Sequence, residues 1–149
     1  MKPMKSLALL AAALAVSVAA TPSEAPAQTP PNPILYLLGL EYYNVRGTDF
    51  VRYRYDVMNK ASYPAAMFAP APNLPPCGTN TNSSRTWVDF FDKAGQRLYG
   101  FCALGSPNSL GSLWFALPEG QVPPSWVYIV MTDRQTNTTY RSNLAETTP

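Results

Sequence analysis

The chain has 149 residues, 46% of them hydrophobic, with 16 prolines, 9 tyrosines, 2 cysteines and 11 basic against 9 acidic residues. That length suits one domain with a real core, and the balanced charge, with Arg52 and Arg54 the only close basic pair, offers no basic stripe for nucleic acid. Histidine is absent, which excludes Ser-His-Asp and Cys-His catalysis in their usual forms and removes the commonest ligand of zinc, copper and iron.

Residues 1–27 read as a secretory signal peptide. Lys2 and Lys5 give a positive start, residues 7–18 are an apolar run of Leu, Ala, Val and one Ser, and Ala25-Pro26-Ala27 offers an A-x-A site. Cleavage is expected after Ala27, or after Ala20 at a second small-residue site. The apolar run is too short to span a bilayer comfortably, and no later stretch is long and apolar enough to do so. No cysteine near the cleavage site argues for a lipid anchor. The expected mature protein is therefore secreted or periplasmic, without a membrane span, where disulfides persist. Without Lys2, Lys5 and Glu24 it keeps 9 basic and 8 acidic residues.

Residues 28–33 continue a Pro-rich leader, and the domain is expected over residues 34–144. Residues 34–45 are apolar and aromatic, broken by Gly39, which fits one bent strand or two short ones. Arg46-Gly47-Thr48-Asp49 is a turn. Val51, Tyr53, Tyr55 and Val57 then alternate with Arg52, Arg54 and Asp56 as a half-buried strand. A short strand is expected at residues 65–68. Four prolines in residues 69–76 exclude a central strand, and residues 77–85 form a polar loop.

Residues 86–102 predict a hairpin closed by Asp92-Lys93-Ala94-Gly95, with Gly95 in the left-handed conformation. The simplest register pairs Phe90 with Leu98, Val88 with Gly100 and Thr86 with Cys102 on a core face. It pairs Phe91 with Arg97, Asp89 with Tyr99 and Trp87 with Phe101 on the other. A loop follows at residues 105–111, a strand at 112–117, a Pro-rich loop at 119–125, and a strand pair at 126–132 and 138–143 around a polar turn. Residues 145–149 read as a loose tail. Short strands between turn signals, with no helical period, predict an all-β, antiparallel two-sheet sandwich.

Tyr53-x-Tyr55-x-Val57-x-Asn59, the Val88-x-Phe90 hairpin with Gly95, and the late strand ending in Asp133-Arg134 resemble secreted immunoglobulin-like or fibronectin type III-like domains. The resemblance implies a sandwich fold over most of residues 34–143, and fold alone does not imply function. The tryptophan between two paired cysteines of antibody-type domains is not reproduced. Trp87 does lie between Cys77 and Cys102, but Cys77 falls in a loop.

In an exported chain, Cys77 and Cys102 are expected to form a disulfide. Such a bridge stabilises by roughly 3.5 kcal/mol in the chain-entropy picture and pins the Pro-rich connection to the sheet. The acids are dispersed: Asp49, Asp92 and Asp133 sit in or beside turns, which favour Asp, and Asp89 is expected to face Arg97 or Tyr99 across the hairpin. No spacing signals a metal site, a cofactor or a nucleophile. Asn82-Ser83-Ser84 and Asn137-Thr138-Thr139 match the N-glycosylation pattern. The aromatic residues Trp87, Phe91, Tyr99 and Phe101 would share the outer face of the hairpin, a surface suited to stacking on sugars or anchoring a protein.

These residues together predict a non-catalytic binding or adhesion module for a glycan or protein partner, without cofactor. A structural or self-associating accessory subunit of the cell envelope is the alternative. A small hydrolase with paired carboxylates is the third reading, and it requires two acids meeting in space.

Overall fold

The computed structural model describes residues 14–22, 28–76 and 83–149. It is all-β, with two antiparallel sheets and no α-helix among the described residues. The three-stranded sheet runs β1 (Leu35–Val45), β2 (Thr48–Val57), β5 (Leu113–Pro118). In the five-stranded sheet, β4 (Arg97–Ala103) pairs β3 (Thr86–Asp92), which pairs β6 (Trp126–Asp133); β7 (Thr138–Arg141) and β8 (Ala145–Glu146) share the far side of β6. No helix among the described residues is long and apolar enough to cross a membrane. Most of the expected signal, residues 1–13 and 23–27, lies outside the described residues.

The first hairpin forms where the turn signal stands. Arg46 and Gly47 both take positive φ, 51° and 84°, so the two-residue turn twists as the strands do. Asn44 Oδ1 accepts from the Gly47 N–H at 3.0 Å. β1 is a single bent strand: its register with β2 shifts between Leu37 and Gly39, a bulge at the position where glycine interrupts the apolar run.

The predicted inner row of β2 is buried at all four positions, Val51, Tyr53, Tyr55 and Val57. Facing it from the other sheet are Val88, Phe90, Ile129 and Met131, also buried. Rings knit the two layers: Phe90 lies 5.4 Å from Tyr55 and 5.5 Å from Phe115, and Phe115 lies 4.9 Å from Tyr53.

The structure corrects three expectations. Residues 65–68 form a 3-10 helix, not a strand. Proline at its N-cap and the need to bury Met67 and Phe68 together favour a tight coil, since a strand would send them to opposite faces. A second 3-10 turn occupies Pro107–Gly111, within the expected loop, and seats Leu110 in the core. The tail is not loose. Ala145 pairs with Val127 and Glu146 with Trp126, and Thr147 is 1% exposed, its hydroxyl donating to the Pro124 carbonyl at 2.6 Å. The leader is also tied at its end, where Tyr63 donates to the Pro31 carbonyl and Asn59 to that of Asn32.

One ion pair closes the end of the five-stranded sheet. Arg85 donates to both Asp133 oxygens, at 2.8 and 2.7 Å, and the Asp133 side chain is only 4% exposed. The Arg85 hydrogen bonds hold the Asp133 carboxyl below its ordinary value of 3.8. A depressed folded-state value means that this stabilisation is fully present above about pH 4, where the unfolded carboxyl is also ionised. It is lost as pH falls through the lower folded value. Asp133→Asn should flatten the acid limb of a stability–pH curve measured by urea unfolding; an unchanged acid limb would remove Asp133 from that role.

Candidate functional site: the outer face of the five-stranded sheet

β3 is the centre of this face because it is paired on both sides. Its alternation buries Val88 and Phe90 and turns Trp87, Asp89 and Phe91 outward, all three half-buried. The hairpin turn is as the sequence predicts. Gly95 has φ 88°, its N–H donates to the Asp92 carbonyl, and the Asp92 carboxylate accepts from the Gln96 N–H at 2.8 Å.

Beyond the turn the expected register fails by one residue. Phe91 still faces Arg97, but Phe90 pairs with Tyr99, Val88 with Phe101, Trp87 with Cys102 and Thr86 with Ala103. Leu98 is the extra residue of a bulge, and a single added residue exchanges the two faces of the strand beyond it. The bulge brings Gly100 opposite Asp89. Arg97 Nε then bonds Asp89 Oδ1 at 2.8 Å across the hairpin. A Cβ at position 100 would collide with both the Arg97 guanidinium and the Asp89 carboxylate, so the glycine makes room for the pair. Gly100→Ala should displace Arg97 and cost about 1 kcal/mol, near the top of the range for an exposed pair. In a double-mutant cycle its effect should shrink in an Arg97→Ala background, where only the Asp89 contact remains; full additivity would show that Gly100 does not serve the pair.

The outward side chains form a grid. One row runs Cys102, Trp87, Thr132, Thr139; the next runs Gly100, Asp89, Val130, Arg141; the third holds Arg97, Phe91 and Tyr128. Strand geometry spaces columns about 4.8 Å and rows about 7 Å apart. Phe91 stacks on Tyr128 at 5.4 Å. The Arg141 guanidinium lies 4.0 Å above the Tyr128 ring and that of Arg134 lies 5.6 Å above Trp87. Trp87 also donates its indole N–H to Asp89 at 2.8 Å. Arg134 is anchored by the Ser84 and Pro75 carbonyls, which draws the Pro-rich connection along the Trp87 row.

The four aromatics expected on one face are thus divided two and two. Trp87 and Phe91 are on the grid. Tyr99 and Phe101 face the opposite way because of the bulge. Phe101 packs against the core cluster. Tyr99, 37% exposed, stacks on Trp114 of β5 at 5.0 Å. Trp114 and Tyr43 hold the Arg52 guanidinium between them, at 4.6 and 4.5 Å. Tyr99 and Phe101 therefore belong to a seam that closes the sandwich between β4 and β5. Sequence reasoning missed Tyr128 and Arg141, whose places depend on β3 pairing with β6 across more than thirty residues of chain.

Six of the carboxylates among the described residues are individually engaged. Glu41 pairs with Arg52, Asp56 with Lys60, Asp89 with Arg97 and Asp133 with Arg85, while Asp49 and Asp92 serve turns. Among the described residues no group of three or more His, Cys, Asp or Glu could hold a metal. The Pro-rich connection forms a cleft of about 270 Å³ lined in part by Pro70, Pro72, Leu74, Arg85 and Gln135, but its charged side chain, Arg85, is taken by Asp133. Cys77 lies outside the described residues; Cys102 stands opposite Trp87, and no free cysteine occurs among the described residues. Comparison with protein-family models, curated proteins and solved structures returns no match to this chain.

Proposed function

We propose that the mature chain is an exported, non-catalytic binding or adhesion module that holds a glycan or protein partner on the outer face of the five-stranded sheet. The observation that carries this reading is the half-exposed column Trp87–Asp89–Phe91, flanked by Tyr128, with guanidinium groups over the Trp87 and Tyr128 rings. Rings and arginines are the side chains over-represented at binding hot spots. The individual engagement of Glu41, Asp49, Asp56, Asp89, Asp92 and Asp133 supports a role without acid–base turnover. The strand order supports a fibronectin type III-like sandwich: first, second and fifth strands in one sheet, fourth, third, sixth and seventh in the other.

Glycan-array and pull-down screens on the mature protein test the reading. Phe91→Ala and Trp87→Ala, with the β-sheet circular dichroism retained, should each weaken the captured partner about 30-fold, the effect of a hot-spot residue. Unchanged affinity in both variants would move the site elsewhere.

Self-association is the second reading, favoured by β1. It is eleven residues long, paired among the described residues with β2 alone, and carries exposed Leu38, Tyr42 and Val45; such an edge can template pairing with another chain. A molecular size that rises with concentration in chromatography would support it.

A Cys77–Cys102 disulfide belongs to the same proposal. It would fasten the Pro-rich connection beside Trp87. Reductant should lower the melting temperature, consistent with a loss of roughly 3.5 kcal/mol; two free thiols by mass measurement on the exported protein would contradict it.

A further inference from the structure

We infer that the partner of this face is an acidic glycan, a polymer of carboxylate-bearing sugars; the inference rests on the binding reading above and names its ligand class. Among the described residues the outer grid and its border carry three cations, Arg97, Arg134 and Arg141, against Asp89 on the grid and Glu146 beyond its third row. Asp89 is spent on Arg97 and on the Trp87 indole. Arg141 makes no hydrogen bond or ion pair among the described residues and is exposed. Its guanidinium carbon lies 4.0 Å from the centre of the Tyr128 ring, a contact that uses the ring face and leaves the N–H donors to take a carboxylate in the bidentate manner that arginine favours.

The remaining chemistry of the face separates a sugar from a protein. An interface between proteins wants apolar anchors at its centre. The three rows hold none of the exposed large hydrophobic side chains among the described residues; Trp126, one step past Tyr128 on β6, continues the face at its edge and not at its centre. The grid offers half-buried ring edges, guanidinium planes and the Thr132 and Thr139 hydroxyls, which suit ring C–H groups, carboxylates and sugar hydroxyls respectively. Three rows and four columns span about 14 Å in each direction, a flat surface that a polymer can cross.

The test uses biolayer interferometry of the exported mature protein on polygalacturonate, alginate and hyaluronan, each beside its carboxyl-reduced form. The expected result is binding to at least one acidic polymer, weaker by about tenfold or more on the reduced form and falling as salt rises. Arg141→Gln should remove a similar factor on the acidic polymer and a clearly smaller one on the reduced form; equal losses on both would overturn the pairing of Arg141 with a carboxylate. Equal binding to acidic and reduced forms, lost in Phe91→Ala, would overturn the ligand class and leave the binding face standing. Equal or tighter binding to poly-glutamate would overturn the glycan. Failure of the folded protein to bind any of the polymers would overturn the inference, while a protein partner captured in the pull-down and lost in Phe91→Ala would show that the face itself still binds.

Discussion

Removing residues 143–149 should leave a chain without a cooperative unfolding transition. These seven residues are the clasp between the two sheets. The Asn143 side chain accepts from the Leu35 N–H at 2.8 Å and donates to the Leu35 carbonyl at 2.9 Å, filling the place of a neighbouring strand at the start of β1. Ala145 is buried against Val127, and the Glu146 carbonyl accepts from the Tyr55 hydroxyl at 3.1 Å. Tyr55 is fully buried, and burial pushes its hydroxyl pKa up, so losing that partner strands a donor. Three orphaned polar groups at about 1–3 kcal/mol each, together with the lost apolar contacts, reach the size of a small domain's whole stability, about 5–15 kcal/mol. Asn143→Ala alone, with β8 intact, should cost about 1–3 kcal/mol. Urea unfolding followed by tryptophan fluorescence measures both; a truncated chain with an unchanged midpoint would show that the tail is dispensable.

The second large effect contrasts two neighbours. Phe90→Ala should cost about 3–5 kcal/mol, the usual penalty for emptying a core aromatic site. Phe90 is fully buried between Tyr55 and Phe115, which cannot collapse inward without breaking the ring stack. Phe91→Ala should cost only about 1 kcal/mol, chiefly its stack on Tyr128. The same denaturation experiment reads both. Equal penalties would mean that Phe91 is buried as deeply as Phe90 and that the outer face is not a face at all.

Local signals carried much of the fold. The Val51–Tyr53–Tyr55–Val57 alternation, the turn at Arg46-Gly47 and the left-handed Gly95 could all be read from nearby residues, because hairpins are set by turn chemistry and a period of two; for Asp89 the sequence left Arg97 and Tyr99 as partners, and the bulge decided for Arg97. What escaped was non-local or off by one. Leu98 leaves no bulge signature that can be told from an ordinary strand residue, yet it reassigns Tyr99 and Phe101. β6 is apolar on both faces, so its sequence does not say which side holds Tyr128 and Val130. The tail looked loose because Ala145-Glu146 is too short to register as a strand, and only Asn143 and Thr147, through contacts distant in the chain, make it one.

The division of the aromatics rests on the hairpin register, which cross-strand nuclear Overhauser contacts in the mature protein measure directly. The bulged pairing predicts contacts between Phe90 and Tyr99 and between Val88 and Phe101. Contacts of Phe90 with Leu98 and of Val88 with Gly100 would place Tyr99 and Phe101 outside with Trp87 and would contradict the binding face described.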